Sequence, residues 1–178
     1  MPLRSVLFIV WGAFWLFWLI AAIGAKKGSR GGRVRAPGLL VVIAFLLLRV
    51  FKVHALPTHS LALQVIGTAL LACGLGLAVW ARIYLGRNWG MPMTRKDEPE
   101  LVTSGPYRFV RHPIYSGILL ALLGMALATS IYWLIALGAM GAYFVFSATV
   151  EERLLTTEFP AAYPSYRART KMLIPFVL

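Results

Sequence analysis

Five apolar segments, separated by short stretches where the charges collect, organise this chain. The first runs from Leu3 to Ala25 and carries Trp11, Trp15 and Trp18. The second, which is short, runs from about Pro37 to Phe51, and the third from Leu61 to Leu85 with Gly67, Gly74 and Gly76. Beyond them, Ile114 to Val150 is a further apolar stretch of 37 residues. As one helix it would extend about 55 Å, well beyond a hydrocarbon core of about 30 Å. A reversal at Thr129-Ser130 divides it into two arms, roughly Ile114 to Ala128 and Ile131 to Val150, and returns the chain to the side where it entered. The pattern predicts an all-α integral membrane protein of five transmembrane helices. The last two form a helical hairpin, followed by a C-terminal segment. No linker or repeat divides the chain, so residues 1–178 read as one domain.

The hairpin places Arg111-His112-Pro113-Ile114-Tyr115-Ser116-Gly117 and the acidic pair Glu151-Glu152 at one membrane face. Basic, aromatic and acidic groups are costly to gather beside an apolar slab unless they have a use. Taken singly, each has a plainer reading. Arg111 and His112 also fit the edge of a helix, and Tyr115 an interfacial anchor. Glu151-Glu152 also fit first-turn acids of a following helix.

Composition narrows the class. Hydrophobic residues make up 60% of the chain and charged residues 13%, with a formal net charge of +12. A basic chain this apolar reads as a membrane protein with basic loops, not a nucleic-acid binder, because no basic stripe with interleaved aromatics lies on a polar scaffold. Lys26, Lys27, Arg30, Arg33 and Arg35 follow the first segment. Arg82, Arg87, Arg95, Lys96, Arg108 and Arg111 surround the connection between the third and fourth. Arg153, Arg167, Arg169 and Lys171 follow the fifth. With five spans these groups share one side, leaving only Arg4, Arg49 and Lys52 on the other, which predicts an outside N-terminus and a cytoplasmic C-terminus and site. The first segment is long for a signal core and reads as a retained span. Cys73 reads as a small core residue, His54 and His59 as turn residues, and the tryptophans of the first segment as a lipid- or partner-facing surface. No Cys/His cluster has metal-ligand spacing, so no metal site is expected.

The pattern Arg111-His112-Pro113-x-Tyr115-x-Gly117 followed by Glu151-Glu152 resembles the integral-membrane methyltransferases, the isoprenylcysteine carboxyl methyltransferases and phospholipid N-methyltransferases among them. The resemblance covers Gly74 to Leu178 and takes in Leu101-Val-Thr-Ser-Gly-Pro-Tyr-Arg108 and Tyr163-Pro-Ser-Tyr166-Arg-Ala-Arg169. It implies S-adenosylmethionine as cofactor, with S-adenosylhomocysteine as product, and a site built mainly from residues 74–178. Arg111, His112, Tyr115, Gly117, Glu151 and Glu152 would bind the cofactor: the glutamates as acceptors, Arg111, His112 and Tyr115 as donors, and Gly117 by letting a ligand approach the backbone. Pro113 suits the first turn of the helix that follows His112. Arg169 aligns with an arginine of the carboxyl methyltransferases and would orient an anionic acceptor. Asn88, in Gly86-Arg87-Asn88-Trp89, matches an asparagine of those enzymes, although Gly90-Met91 stands where they carry Asn-His. Gly74 and Gly76 resemble a glycine element near the cofactor, and equally fit tight helix packing, which is the favoured reading.

The resemblance thus implies methyl transfer to a lipophilic or prenylated acceptor within the bilayer, first a carboxylate, then a phospholipid amine or thiol. The reading from another class is a non-catalytic membrane scaffold with a vestigial cofactor pocket.

Overall fold

The computed structural model describes residues 3–22, 28–30, 60–89, 94–96 and 100–175. The second predicted segment, His54 and His59 lie outside these residues. In chain order the elements are α1 (Leu3–Ala22), β1 (Gly28–Arg30), α2 (Leu61–Leu85), β2 (Thr94–Lys96), α3 (Pro113–Ala128), α4 (Trp133–Glu158) and α5 (Ala162–Arg169), with 3-10 turns at Gly86–Asn88 and Gly105–Arg108. The described fold is helical except for the antiparallel pairing of β1 with β2, which sets Gly28 opposite Lys96 and Arg30 opposite Thr94.

Two helices, Leu61–Leu85 and Trp133–Glu158, are long and apolar enough to cross a membrane, while Leu3–Trp18 and Pro113–Ala128 are shorter apolar stretches. Only 28% and 17% of the most apolar windows of the two long helices are buried within the protein. Their remaining surface includes Val65, Ile83, Ile135 and Phe146, all at least half exposed. A soluble core helix would hide such side chains, whereas a hydrocarbon surround accepts them.

The α2–α3 pair is the tightest part of the molecule. A Cβ added at Gly74 would lie 2.5 Å from Gly117 O and 2.5 Å from Ala121 N, and one at Gly67 would lie 2.6 Å from Gly124 O. The reciprocal contacts, Gly117 on Gly74 O and Gly124 on Gly67 O, are both 2.5 Å. Glycines seven residues apart on each helix therefore oppose each other, Gly67 to Gly124 and Gly74 to Gly117. They let the two backbones meet where lipid supplies no hydrophobic push between helices. The packing reading of Gly74 accords with this. A Cβ added at Gly76 would instead meet no atom within 4 Å among the described residues. At Gly117, expected to let a ligand approach, the backbone that comes close in this structure is that of α2.

The hairpin turn falls where the pattern places it. Thr129 caps α3 through N–H and hydroxyl bonds to Met125 O, and Trp133 N donates to Ser130 O at 3.1 Å. The second arm, however, continues past Val150, so Glu151 and Glu152 lie inside α4 rather than opening a new helix. Arg153, Leu154 and Leu155 are good helix formers, and the helix stops only at Phe159, before Pro160. Two further expectations are overturned. Cys73 is exposed, not a core residue. Of the α1 tryptophans only Trp15 is exposed, and it too borders the cavity described below: Trp11 is buried, and Trp18 meets Trp89 edge-on at 5.9 Å.

Candidate functional site

Two segments flank the start of α3 and hold its first turn. Pro113 occupies the first helical position, where its missing N–H leaves no bond unmade, and His112 stands just before it. The C-terminal stretch runs alongside: Arg111 N donates to Lys171 O at 2.8 Å and His112 N to Met172 O at 3.1 Å. Ser116 Oγ donates to Leu173 O at 2.5 Å and the Tyr166 hydroxyl to Tyr107 O at 2.6 Å. The strap after α5 thereby fixes the backbone on which the histidine is mounted.

The side chains of the two sequence motifs meet as the hairpin requires. Arg111 Nε lies 2.7 Å from Glu152 Oε1, and Arg167 Nε lies 3.4 Å from Glu152 Oε2. The guanidinium of Arg111 also donates to the carbonyls of Thr170 and Arg167. Glu151 accepts from the Tyr115 hydroxyl at 2.6 Å and from Ser147 at 3.3 Å. His112 sits between the acids, with Nδ1 3.4 Å from Glu151 Oε2 and Nε2 3.5 Å from Glu152 Oε1. Burial opposes a charge on this imidazole, but the two glutamates outweigh it and raise its pKa above the ordinary value. Carboxylates facing both ring nitrogens suit an imidazolium, since a neutral ring has only one N–H. His112, Tyr115 and Phe144 stack in parallel, at 5.4 Å and then 4.3 Å between ring centres, as a short aromatic column.

This cluster forms one side of a cavity of about 400 Å³, within the range of small-molecule sites. Trp18, Trp89, Tyr107 and Tyr143 contribute to its aromatic lining, and Asn88, Glu100, Glu158 and Tyr163 add polar groups. The Asn88 amide nitrogen donates to Glu100 Oε2 at 3.0 Å. Two residues that line the cavity carry a buried polar atom with no hydrogen-bond partner among the described residues, Asn88 Oδ1 and Tyr163 Oη, and His112 Nε2 has only its 3.5 Å ion-pair contact with Glu152. Buried polar atoms are rarely left so, which points to a polar ligand. S-Adenosylmethionine fits this donor set. Glu151, the more open of the two acids with 24% of its side chain exposed, can accept from an ammonium or ribose hydroxyl. His112 and Tyr163 can donate to a carboxylate, and the aromatic lining can receive a purine.

The cavity thus takes His112, Tyr115, Glu151, Asn88 and the edge of Arg111 from the expected residues, while buried Glu152 holds Arg111 and His112 from behind. It does not take Gly117 or Arg169. Arg169 is exposed, and its Nε donates to Ser165 O of its own helix at 3.2 Å. Tyr163, Tyr166 and Thr170 claim the inward face of the C-terminal turn, and position 169 falls off that face. Tyr163 and Glu100 are additions that sequence reasoning did not single out. The Tyr163-Pro-Ser-Tyr166 motif was the available signal for the first.

The sequence profile described as phospholipid methyltransferase matches residues 63–162. A methanethiol S-methyltransferase of Bradyrhizobium diazoefficiens is 44% identical over 69 residues, 39% of this chain and 26% of that protein. The protein-S-isoprenylcysteine O-methyltransferase of Schizosaccharomyces pombe is 25% identical over 169 residues, 93% of this chain and 68% of that one. The solved structure of a eukaryotic intramembrane Ras methyltransferase, an isoprenylcysteine carboxyl methyltransferase, shares the fold with a TM-score of 0.59 at 23% identity, over 79% of this chain. This chain spans about half the length of that protein, 51%.

Proposed function

Because this chain belongs to the phospholipid methyltransferase family, we propose that it transfers a methyl group from S-adenosylmethionine to a lipophilic acceptor. The strongest support is the convergence on one cavity of the His112–Glu151 pair and two residues with unpartnered buried polar atoms, Asn88 and Tyr163. The cofactor, when bound, supplies a methyl group made electrophilic by its sulfonium. The chain's own residues then have to bind, orient and exclude water. Glu151, oriented by Tyr115 and Ser147, accepts hydrogen bonds. His112 and Tyr163 donate them, and Arg111 with Glu152 keeps the histidine in register. The apolar lining strips water from a nucleophile, so that alignment behind the methyl carbon does most of the work.

Among acceptors, the cavity favours a lipophilic thiol over the carboxylate that the resemblance put first. A carboxylate enters as an anion and needs a cation, whereas a thiol enters neutral and gives its proton to water or to a carboxylate such as Glu151 as its sulfur bonds the methyl carbon and the methyl–sulfonium bond breaks. The described cations at the cavity are Arg111, held by Glu152, and His112, already assigned to the cofactor. Arg169, expected to supply one, points away. The likeness to a methanethiol S-methyltransferase agrees with this choice.

Calorimetry with S-adenosylhomocysteine should show about ten- to a hundredfold weaker binding for Glu151→Gln and for His112→Ala, the effect of one hydrogen bond to a charged group. Unchanged affinity in both would remove them from the site. Labelled S-adenosylmethionine with dodecanethiol, farnesylcysteine or phosphatidylethanolamine vesicles then identifies the acceptor. Label is expected in the thioether, and label in a methyl ester would restore the carboxylate. Binding without transfer to any of them would favour the non-catalytic alternative.

We also propose that the site faces the cytoplasm and the N-terminus lies outside. The charge distribution supports this, as does the β1–β2 pairing, which sets the loop after α1 beside the loop after α2. Cysteines at Gly31, Asp97 and Thr58 in a Cys73→Ala background provide the check. Reagent confined to the outside should reach only Thr58→Cys, and labelling of Gly31→Cys from outside would reverse the orientation.

A further inference from the structure

One buried charge stands apart from the cluster. Arg82, in the last turn of α2, is only 6% exposed. One of its terminal nitrogens donates to Gly86 O at 2.7 Å, and the other donates to Ala21 O near the end of α1. Its Cζ lies 4.7 Å from the centre of the Trp89 ring. We propose that Arg82 is a positioning residue that ties the end of α1 to the Gly86–Trp89 turn and so shapes the wall of the cavity that carries Trp18, Asn88 and Trp89.

Each contact answers a local need. Ala21 O is among the last carbonyls of α1, which have no partner within their own helix. Gly86 reverses the chain at φ 53°, ψ −129°, a conformation open to glycine, and among the described residues no side chain packs where its Cβ would be. The hydrogen bond from Arg82 to its carbonyl therefore restrains a turn that packing does not. Trp89 offers its face to the guanidinium and meets Trp18 edge-on at 88°. Both rings, and Asn88 between the turn and the tryptophan, line the cavity. Only a planar fork can reach two divergent carbonyls while lying over an indole, so lysine is a poor replacement despite its charge. Arg82 does not itself line the cavity. It acts through Trp89, Asn88 and α1.

The kinetic consequence rests on the methyltransferase reading, whereas the tether itself does not. Wild type, Arg82→Lys and Arg82→Met are compared in lipid nanodiscs by hydrogen exchange, S-adenosylhomocysteine calorimetry and turnover. The turnover probe is dodecanethiol, or farnesylcysteine if that is the acceptor methylated. In Arg82→Lys, exchange should quicken at least fivefold at residues 18–22 and 86–89 and stay unchanged across 113–128. S-Adenosylhomocysteine affinity should stay within twofold of wild type, because Arg82 touches none of Glu151, His112 and Tyr163, while the acceptor KM rises at least fivefold with kcat little changed. Arg82→Met should show the same pattern more strongly. Unchanged exchange in both segments, exchange quickened throughout the protein, or an unchanged acceptor KM would each overturn the proposal. A wild type that methylates neither acceptor would instead defeat the methyltransferase reading, and exchange alone would then decide the tether.

Discussion

Arg111→Ala should destabilise the protein by about 3–5 kcal/mol, the usual result of stripping one partner from a buried ion pair. Glu152 would keep its burial, at 4% exposure, and lose its shortest contact, 2.7 Å to Arg111 Nε. Of the cations that remain, His112 is 3.5 Å away and shared with Glu151, and Arg167 is 3.4 Å away with 60% of its side chain exposed, where water screens it. The same substitution frees the carbonyls of Thr170 and Arg167, which anchor the strap beside His112. Stability and ligand affinity should therefore fall together. Arg167→Ala is the matched control, expected to change stability by less than about 1 kcal/mol, as exposed pairs do. Unfolding in detergent micelles, followed by helical signal and by protection with S-adenosylhomocysteine, measures both. A loss in Arg111→Ala no larger than in Arg167→Ala would show that the Arg111–Glu152 pair does not hold the site together.

The second large effect belongs to the helix interface. Gly74→Ala should cost about 1–3 kcal/mol through overpacking, because the new methyl would lie 2.5 Å from Gly117 O and Ala121 N. These are backbone atoms of a neighbouring helix and cannot swing aside as a flexible side chain would. Alanine regains roughly 1 kcal/mol of helix propensity over glycine, which is not enough to offset a forced separation of α2 from α3. Gly76→Ala, two residues on, meets nothing within 4 Å among the described residues and should be neutral or stabilising by that propensity term. The opposite sign of two identical substitutions on one helix is the diagnostic result. Equal effects would mean that the glycines do not set the α2–α3 distance.

Much of this architecture was legible in the chain. The third apolar segment has the same bounds as α2, and the hairpin reverses where Thr129-Ser130 interrupts an otherwise unbroken run. Those features are local: apolar length sets a span, and a polar break within an overlong run sets a turn. The meeting of His112 with Glu151 follows from the same arithmetic, since two arms of similar length must end where they began.

Other features depended on contacts between segments that no local pattern specifies. Gly74 reads as a packing glycine in sequence, but its partner, Gly117, appears only when the two helices are laid together and each is seen to admit the other's backbone. Arg111 and Arg169 are equally basic in sequence. Only the packed fold sets the first against buried Glu152 of α4 and leaves the second on the outer face of α5. The tryptophans of α1 suggest a greasy exterior, yet Trp11 packs inside and Trp18 turns to Trp89. Periodicity and charge determined which residues share a helix and which helix ends share a face. The partner of each side chain was decided by tertiary packing, because hydrogen bonds and close contacts depend on distances of a few ångströms between segments far apart in the chain.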